Sequence, residues 1–500
     1  MSLCGAIDKL LAYGVKYLEL SERDVIYARN RLLDVLGQCD YVKEPIDSEV
    51  PNLPDGILEE IYACLDADNA SYDKTTLGEK LMDAIMLRPS EFEREVAKRS
   101  SGGGVTQSAT DWAYNYAVHS NYVKKSAIDK NIKWHSGNGL EITINLSKPE
   151  KNNKDLTKQL TVASTSYPLC TICRENEGYE KVGFSRRNLR AINLSLNGEQ
   201  WFWQYSPYAY FNQHGIAVSF AHTPMKLEPA TVNRLFDFVD IFPHYFIGNN
   251  APLPRVGGSI LMHDHFQGGG EVLPMQKAPL RAELHSKRHP TVKVGVIDWH
   301  NTAFRLEGNS RTEIAAIAME IVDAWRTYEN SAADIIPFTG SEPHNTASCI
   351  ARKTNDGYIL DMILRNNRVS DLHPDGIFHA HREYHAIKSE SIGLIEAMGL
   401  FILPARLYRQ LGEVKNYLTG ETNKLCGDTV IFDGIAKRLK SELGGNVSAE
   451  QAELALKQEV ENTCLAILDN TAVFKRNEIG AACFADLFDR AELKLVNGKL

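Results

Sequence analysis

Apolar positions recur at helical spacing through the first ~130 residues. Asp24–Leu36 sets Val25, Ile26, Leu32, Leu33, Val35 and Leu36 on one broad face, and Ile57–Leu65 and Leu77–Leu87 repeat that texture. Ser101-Gly102-Gly103-Gly104 interrupts it. No Gly-Lys-Ser/Thr follows, so this is not a P-loop, and it reads as a flexible loop ahead of a helix over Ala109–Tyr122. Near Trp134 the period changes. Leu140–Leu146 alternates apolar and polar residues as a half-buried strand does. Short β-type runs follow at Arg190–Leu196, Trp201–Tyr205, Gly215–Phe220, Tyr245–Ile247 and Ser259–Leu261, with one amphipathic helix, Pro229–Phe242, among them.

A second stretch has the same texture. Val292–Trp299 and Phe304–Leu306 read as strands and Thr312–Tyr328 as an amphipathic helix. Ala347–Ala351 and Tyr358–Leu364 form a hairpin across Asn355-Asp356-Gly357. Helices are expected at Ser391–Gly399, Ala405–Leu418 and Ala449–Leu468. The pattern gives an α+β protein: a helical region over 1–130, one half over 131–290, a second half over 291–400 and a helical region over 401–500. The symmetry between the halves is too weak in the sequence to define a repeat.

Composition narrows the function. The chain has 500 residues, 43% hydrophobic and 24% charged, as ordinary globular chains do. Its 55 basic and 64 acidic residues give a net charge of −9. That argues against a general nucleic-acid binder, which needs a basic surface, but not against a local pocket for one small anion. Nine cysteines are too few for a disulfide scaffold and suit a reducing compartment. The first 22 residues lack a secretory pattern, and no stretch approaches ~18 consecutive apolar residues. A cytoplasmic protein without a membrane span is expected.

The chemistry concentrates in Gly257-Gly258-Ser259-Ile-Leu-Met-His263-Asp264-His265-Phe266-Gln267-Gly268-Gly269-Gly270. In an extended chain His263, His265 and Gln267 share a face. The flanking glycines let backbone N–H groups approach an anion. A His-x-His can hold a metal, supply a nucleophile, or form a structural polar pair. The amide of Gln267 and the bare backbone favour a phosphate ligand over packing.

This segment closely resembles the active-site signature of the type II family of galactose-1-phosphate uridylyltransferases. More loosely, His-x-His-x-Gln resembles the histidine-triad superfamily. Pro252 and Arg255 stand where the signature has Asp and Ile, and Met262 where it has a small residue. The resemblance extends over Leu140–Pro149, Tyr167–Tyr179, Asn197–Pro207, Phe242–Gly248, Pro343–Arg352 and Ile387–Leu400. It implies two histidine-triad-like antiparallel-sheet halves with helical extensions. It also implies transfer of UMP between hexose 1-phosphates, with UDP-glucose or UDP-galactose as donor, in a homodimer. His265 matches the family's nucleophile. Gln267 stands where related hydrolases carry a third His; it donates to a phosphoryl oxygen without delivering a proton. Gly257, Gly258 and Ser259 would add phosphate donors. Asn249 or Asn250 would contact the nucleotide, and the spacing does not decide between them. In the segment Ile387–Leu400, Lys388 would pair with phosphate and Glu396 would accept from sugar hydroxyls.

Cys170-Thr-Ile-Cys173 has zinc or redox spacing, and two buried thiols without a metal are the plain alternative. The resemblance implies structural zinc, with His222 and His263 completing the ligand set. Arg186, Arg187 and Arg190 form a local basic cluster that suits phosphate or a solvated loop equally. The run from Trp201 to Phe211 is aromatic enough to stack a uracil, although such strands more often pack a core. Phe378-His379-Ala-His381 is a second His-x-His without a following Gln. With His385 and His344 it is a secondary candidate for phosphate or metal.

Overall fold

A computed structural model describes residues 2–38, 40–46, 49–67, 71–147, 167–179, 186–258 and 260–500. Its centre is an eleven-stranded sheet. The strands in chain order are β1 (Ile192–Leu196), β2 (Glu199–Tyr205), β3 (Gly215–Ser219), β4 (Phe246–Asn249), β5 (His265–Gly269), β6 (Leu280–Ser286), β7 (Lys293–Ile297), β8 (Ala303–Gly308), β9 (Asn345–Thr354), β10 (Gly357–Asn366) and β11 (Leu493–Gly498). Across the sheet they run β11-β6-β7-β8-β10-β9-β4-β5-β3-β2-β1, and every pairing is antiparallel.

This order exposes a repeat that the sequence did not. β1 to β3 make a meander, the helix Pro229–Ile241 follows, and β4 and β5 return in the order 1-2-3-5-4. β6 to β8, the helix Arg311–Arg326, and β9 and β10 do the same. The two units join edge to edge through β4 and β9, where Gly248 faces Ile350. The α+β expectation holds, and the halves share one sheet.

Alternation along the strands divides the core. Phe266, Ile247, Leu360, Met362 and Leu364 point to the face covered by both long helices, through Val232, Leu235, Ile314 and Ile317. Phe246, Ile350 and Ile363 point to the opposite face, against Leu394, Ile395, Leu400 and Phe401. The Arg311–Arg326 helix starts where Ser310 accepts from the Glu313 N–H, an N-cap that satisfies one end donor. The predicted hairpin turn is Asn355-Asp356, with Thr354 paired to Gly357.

Several expectations are corrected. Ile260 and Leu261 are irregular, and the strand starts at His265 instead. The expected helix Ser391–Gly399 shrinks to Leu394–Ala397. The apolar run after it is a strand, Leu400–Pro404, lying parallel to Glu141–Asn145 in a separate three-stranded sheet with Ile132–His135. Such a run fits a buried strand or a buried helix equally well by pattern. The C-terminal region is not wholly helical, since β11 extends the main sheet at its edge. A helix at Leu3–Tyr17, capped by Ser2, precedes those read from the pattern. Among the described residues no helix is long and apolar enough to cross a membrane.

The join between β4 and β5 needs bare backbone. A Cβ on Gly268 would sit 2.0 Å from the Phe246 carbonyl oxygen and 2.9 Å from Ile247 Cα. Gly268→Ala must therefore push two strands apart, a destabilisation of about 1–3 kcal/mol. Thermal unfolding of this variant should fall by several degrees. Gly137→Ala, where a Cβ meets nothing within 4 Å, should leave the midpoint in place.

Candidate active site and metal-binding cluster

Strand β5 presents alternate residues to opposite faces. Phe266 stacks on Trp201, with ring centroids 4.8 Å apart, on the helix side. His265 and Gln267 therefore face the other way. Asp264, before the strand, lies 3.6 Å from Arg234 Nη1. Burial raises the Asp264 carboxyl to about 6.

His265 is buried, and its Nδ1 lies 2.8 Å from the His263 carbonyl oxygen. A carbonyl only accepts, so Nδ1 carries the proton and Nε2 keeps its lone pair. Burial also lowers the imidazole to about 4, partly opposed by that backbone hydrogen bond. The ring is thus held neutral, in one tautomer and one orientation. Gln267 Nε2 donates to Asn250 Oδ1 at 2.7 Å, leaving its second N–H available.

The register separates the two asparagines. Asn249 pairs with Phe266 and faces the helices. Its Nδ2 donates to the Asn250 and Ala347 carbonyls, and its Oδ1 accepts from Cys349 N, stitching β4 to β9. Asn250 is the one beside Gln267. The loop ahead of His263 closes on it: a Cβ on Gly258 would lie 2.9 Å from Asn250 Nδ2, and one on Gly257 would lie 2.2 Å from the Ala251 carbonyl oxygen. Ser259 lies outside the described residues.

The segment around Glu396 packs next to this strand. Leu394 Cδ2 lies 2.8 Å from where a Cβ on Gly248 would be, and Gly248 is the register partner of Gln267. Lys388 Nζ is 3.2 Å from Glu396 Oε1 and donates to the Ile402 carbonyl at 2.9 Å. Glu396 Oε2 accepts from Gly393 N at 3.1 Å. Both side chains are buried.

Other candidates are employed elsewhere. Arg190 donates to Leu87 O, Leu189 O, Arg187 O and Asp83 Oδ1, which ties the start of β1 to the N-terminal helices and leaves little for a phosphate. Arg186 reaches the Tyr122 hydroxyl at 3.3 Å. His344 bonds Asn367 and Thr339, His381 the Ile377 carbonyl and His385 the Ala380 carbonyl. Buried His379 lies near the Ala380 carbonyl, and burial lowers its imidazole to about 4. Trp201 and Trp203 are fully buried, so this part of the aromatic run is core.

The cysteine pair gathers its partners. One ligand atom from each of Cys170, Cys173, His222 and His263 lies within 4.8 Å of all the others. Cys170 Sγ is 3.5 Å from Cys173 Sγ and 3.3 Å from His263 Nδ1, and Cys173 Sγ is 3.3 Å from His222 Nδ1. A tetrahedral ion with N and S ligands at about 2.0–2.3 Å needs ligand separations of roughly 3.3–3.8 Å. The donor set fits. His263 Nε2 lies 2.7 Å from the Ser219 carbonyl, which makes Nε2 the donor and frees Nδ1 as a ligand. Asn176 Nδ2 donates to the Cys170 and Cys173 carbonyls at 2.9 Å and shapes the turn. Asn176 is not among the residues singled out by the motif, although its place three residues after Cys173 marks it as a turn residue.

Comparison with known proteins identifies the family. The family model described as galactose-1-phosphate uridyl transferase, N-terminal domain, matches residues 18–224. The galactose-1-phosphate uridylyltransferase of Clostridium acetobutylicum is 41% identical over 493 residues, covering 96% of this chain and 98% of that protein. The chain belongs to the galactose-1-phosphate uridylyltransferase family. Another member, from Halalkalibacterium halodurans, is 40% identical over 502 residues, covering 97% of each chain. The crystal structure of yeast Ap4A phosphorylase Apa2 overlaps 57% of this chain and 82% of its own at 11% identity. Its TM-score of 0.30 adds nothing to the assignment.

In this uridylyltransferase-family chain the four-ligand cluster should hold about one metal ion per chain by elemental analysis. Cys173→Ser should lose most of that metal and lower the thermal midpoint. A metal content indistinguishable from wild type would show that the cluster is not the site.

Proposed function

We propose that this protein is a UDP-glucose:hexose-1-phosphate uridylyltransferase working through a uridylyl-His265 intermediate. The carrying observation is the bond between His265 Nδ1 and the His263 carbonyl, which leaves Nε2 as the free nucleophile on the same face as Gln267. Family membership supports the substrate class.

The chemistry follows from that tautomer. Nε2 attacks the α-phosphorus of UDP-hexose. The N–P bond forms as the P–O bond to hexose 1-phosphate breaks, and the bonding pair leaves on that phosphate. A phosphate monoester is a stable anion, so no strong general acid is needed. The positive charge on the imidazole is shared with the His263 carbonyl through Nδ1–H. A phosphate oxygen of the second hexose 1-phosphate then attacks phosphorus and expels the neutral imidazole. One hard meeting of anions becomes two easier displacements. The second N–H of Gln267 donates to a nonbridging oxygen as charge develops. Asn250, Gly257 and Gly258 line the phosphate side; Ser259 is assigned there by the motif resemblance alone. Asn249 acts behind Asn250 as a brace. Lys388 and Glu396 form the hexose side, and Arg186 is a further phosphate candidate.

Cys170, Cys173, His222 and His263 would hold zinc, whose contribution there would be structural, closing the turn behind His263. The motif resemblance further implies a cytoplasmic homodimer, and galactose 1-phosphate or an N-acetylated relative as acceptor.

Incubation with UDP-glucose labelled in its uridylyl group should leave acid-labile label on the wild-type chain, with parallel-line kinetics against varied hexose 1-phosphate. His265→Gly should lose both half-reactions; retained exchange would overturn the nucleophile assignment. Gln267→Ala should lower kcat by roughly 10²–10³ while the chain still becomes labelled. Steady hydrolysis of UDP-glucose without an acceptor would defeat the transferase reading.

A further inference from the structure

Arg365 stands next to the end of β10, on the same sheet face as His265 and Gln267. Register shows this: Arg365 pairs with Thr346, Ile363 with Ser348, and Asp361 with Ile350, while Ile350 pairs with Gly248 and Gly248 with Gln267. Pairs across a sheet share a face, and so do residues two apart. Arg365 is 1% exposed. Its Nη2 donates to the Ile392 carbonyl at 3.0 Å. Its Nε and Nη1 are buried without a hydrogen-bond partner, and so is the Ser348 hydroxyl. No ion pair reaches Arg365 among the described residues.

A buried guanidinium with two idle N–H groups is costly and calls for a missing acceptor. The nearby carboxylate of Glu396 is already taken by Lys388 Nζ and Gly393 N. Lys388, in turn, is ion-paired with Glu396 and donates to the Ile402 carbonyl. Among the described residues of this face, Arg365 is thus a buried cation without an ion pair, whereas Arg352 has Asp361 and Lys388, the lysine implied by the resemblance, has Glu396. Its surroundings lead back to the nucleophile. Ile392, which holds Nη2, is two residues from Leu394, and Leu394 sits over Gly248, the register partner of Gln267. Asn367, two residues on, donates to the Pro254 carbonyl in the loop that leads to His263.

We infer that Arg365 and Ser348 bind the phosphate of hexose 1-phosphate, as a fork and a hydroxyl donor on the acceptor side of the site. The inference rests on the uridylyltransferase reading for the identity of the sugar phosphate, and on the orphaned donors for the anion itself. Arg suits the task because its planar fork grips two oxygens of one phosphate at once. Its charge also offsets a dianion drawn into a poorly hydrated site.

The test is calorimetric binding of glucose 1-phosphate, inorganic phosphate and UMP to the full chain, wild type against Arg365→Met, Arg365→Lys and Ser348→Ala. Arg365→Met should weaken glucose 1-phosphate about 10- to 100-fold and leave UMP binding intact, with KM for the acceptor rising more than kcat falls. Arg365→Lys should restore part of the affinity. Ser348→Ala removes only a hydroxyl and should weaken the same ligand several-fold, which covers the case in which Arg365→Met does not fold. Weakened glucose 1-phosphate with unchanged inorganic phosphate assigns the site to the sugar ester; weakening of both assigns it to phosphate in general. Unchanged glucose 1-phosphate affinity in folded Arg365→Met, or a structure in which only ordered water meets Nε and Nη1 while the sugar phosphate binds elsewhere, overturns the inference. A wild type that binds glucose 1-phosphate through Arg365 but exchanges no uridylyl group would sink the proposed function and leave this subsite standing.

Discussion

One residue, His263, carries three obligations. Its Nδ1 faces the cysteine pair, its Nε2 is spent on the Ser219 carbonyl, and its own carbonyl accepts from His265 Nδ1. The first two fix its ring and the third fixes the next imidazole. Without a held carbonyl, His265 would sample both tautomers and turn about its side-chain bonds. The cluster of Cys170, Cys173, His222 and His263 is therefore tied mechanically to the imidazole of His265. A fixed Cys170–Cys173 turn holds His263, and a fixed His263 aims Nε2 of His265. This is how ligands of a structural ion commonly reach an active site, through the hydrogen bonds behind the reacting group.

The sheet makes that arrangement possible and also confines it to one half. At the Gln267 register a row crosses both units: Gln267, Gly248, Ile350, Asp361 and Arg305. In the first unit this face carries polar side chains that stay available. In the second, Arg305 and Asp361 pair at 2.6 Å, and Arg305 also donates to the Ala278, Met275 and Gln276 carbonyls. That ion pair is buried and almost fully satisfied, which is the condition under which burying charge is tolerated. At this register the repeated topology thus supplies one open polar position and one filled with a closed network. Gly248, at the seam, gives Leu394 room to bring the Glu396 segment across from the second unit.

What could be read from the sequence follows from how local each signal is. The two-residue alternation of His263-Asp264-His265-Phe266-Gln267 needs only an extended chain, so the shared face of His265 and Gln267 was visible at once. The Cys-x-x-Cys turn is equally local. The distinction between Asn249 and Asn250 was not, because it depends on which of them pairs with Phe266. Leu400–Pro404 looked like part of a helical region, since its partner Glu141–Asn145 lies some 250 residues earlier. Arg365 gave no sign at all. In Leu360–Arg365-Asn366-Asn367 it reads as the polar exit of a strand, and only long-range packing shows it buried. The repeat was hidden for a related reason: strand order is conserved between the units, while the residues on the two faces are not.

The ion pair of Lys388 with Glu396 shows what preorganisation would require of the hexose side proposed for it. Each residue alone, buried at this depth, would carry an uncompensated charge. Together they cancel, and the Gly393 N–H and Ile402 carbonyl hold them in place. A sugar hydroxyl is both donor and acceptor, so a fixed carboxylate beside a fixed ammonium matches it without either charge having to be reoriented on binding. A phosphate has no donor to offer Glu396 and gains little from an ammonium already paired. On the proposed reading, the same pairing suits Lys388 and Glu396 to hydroxyls and makes a cation with idle donors the better match for a phosphate.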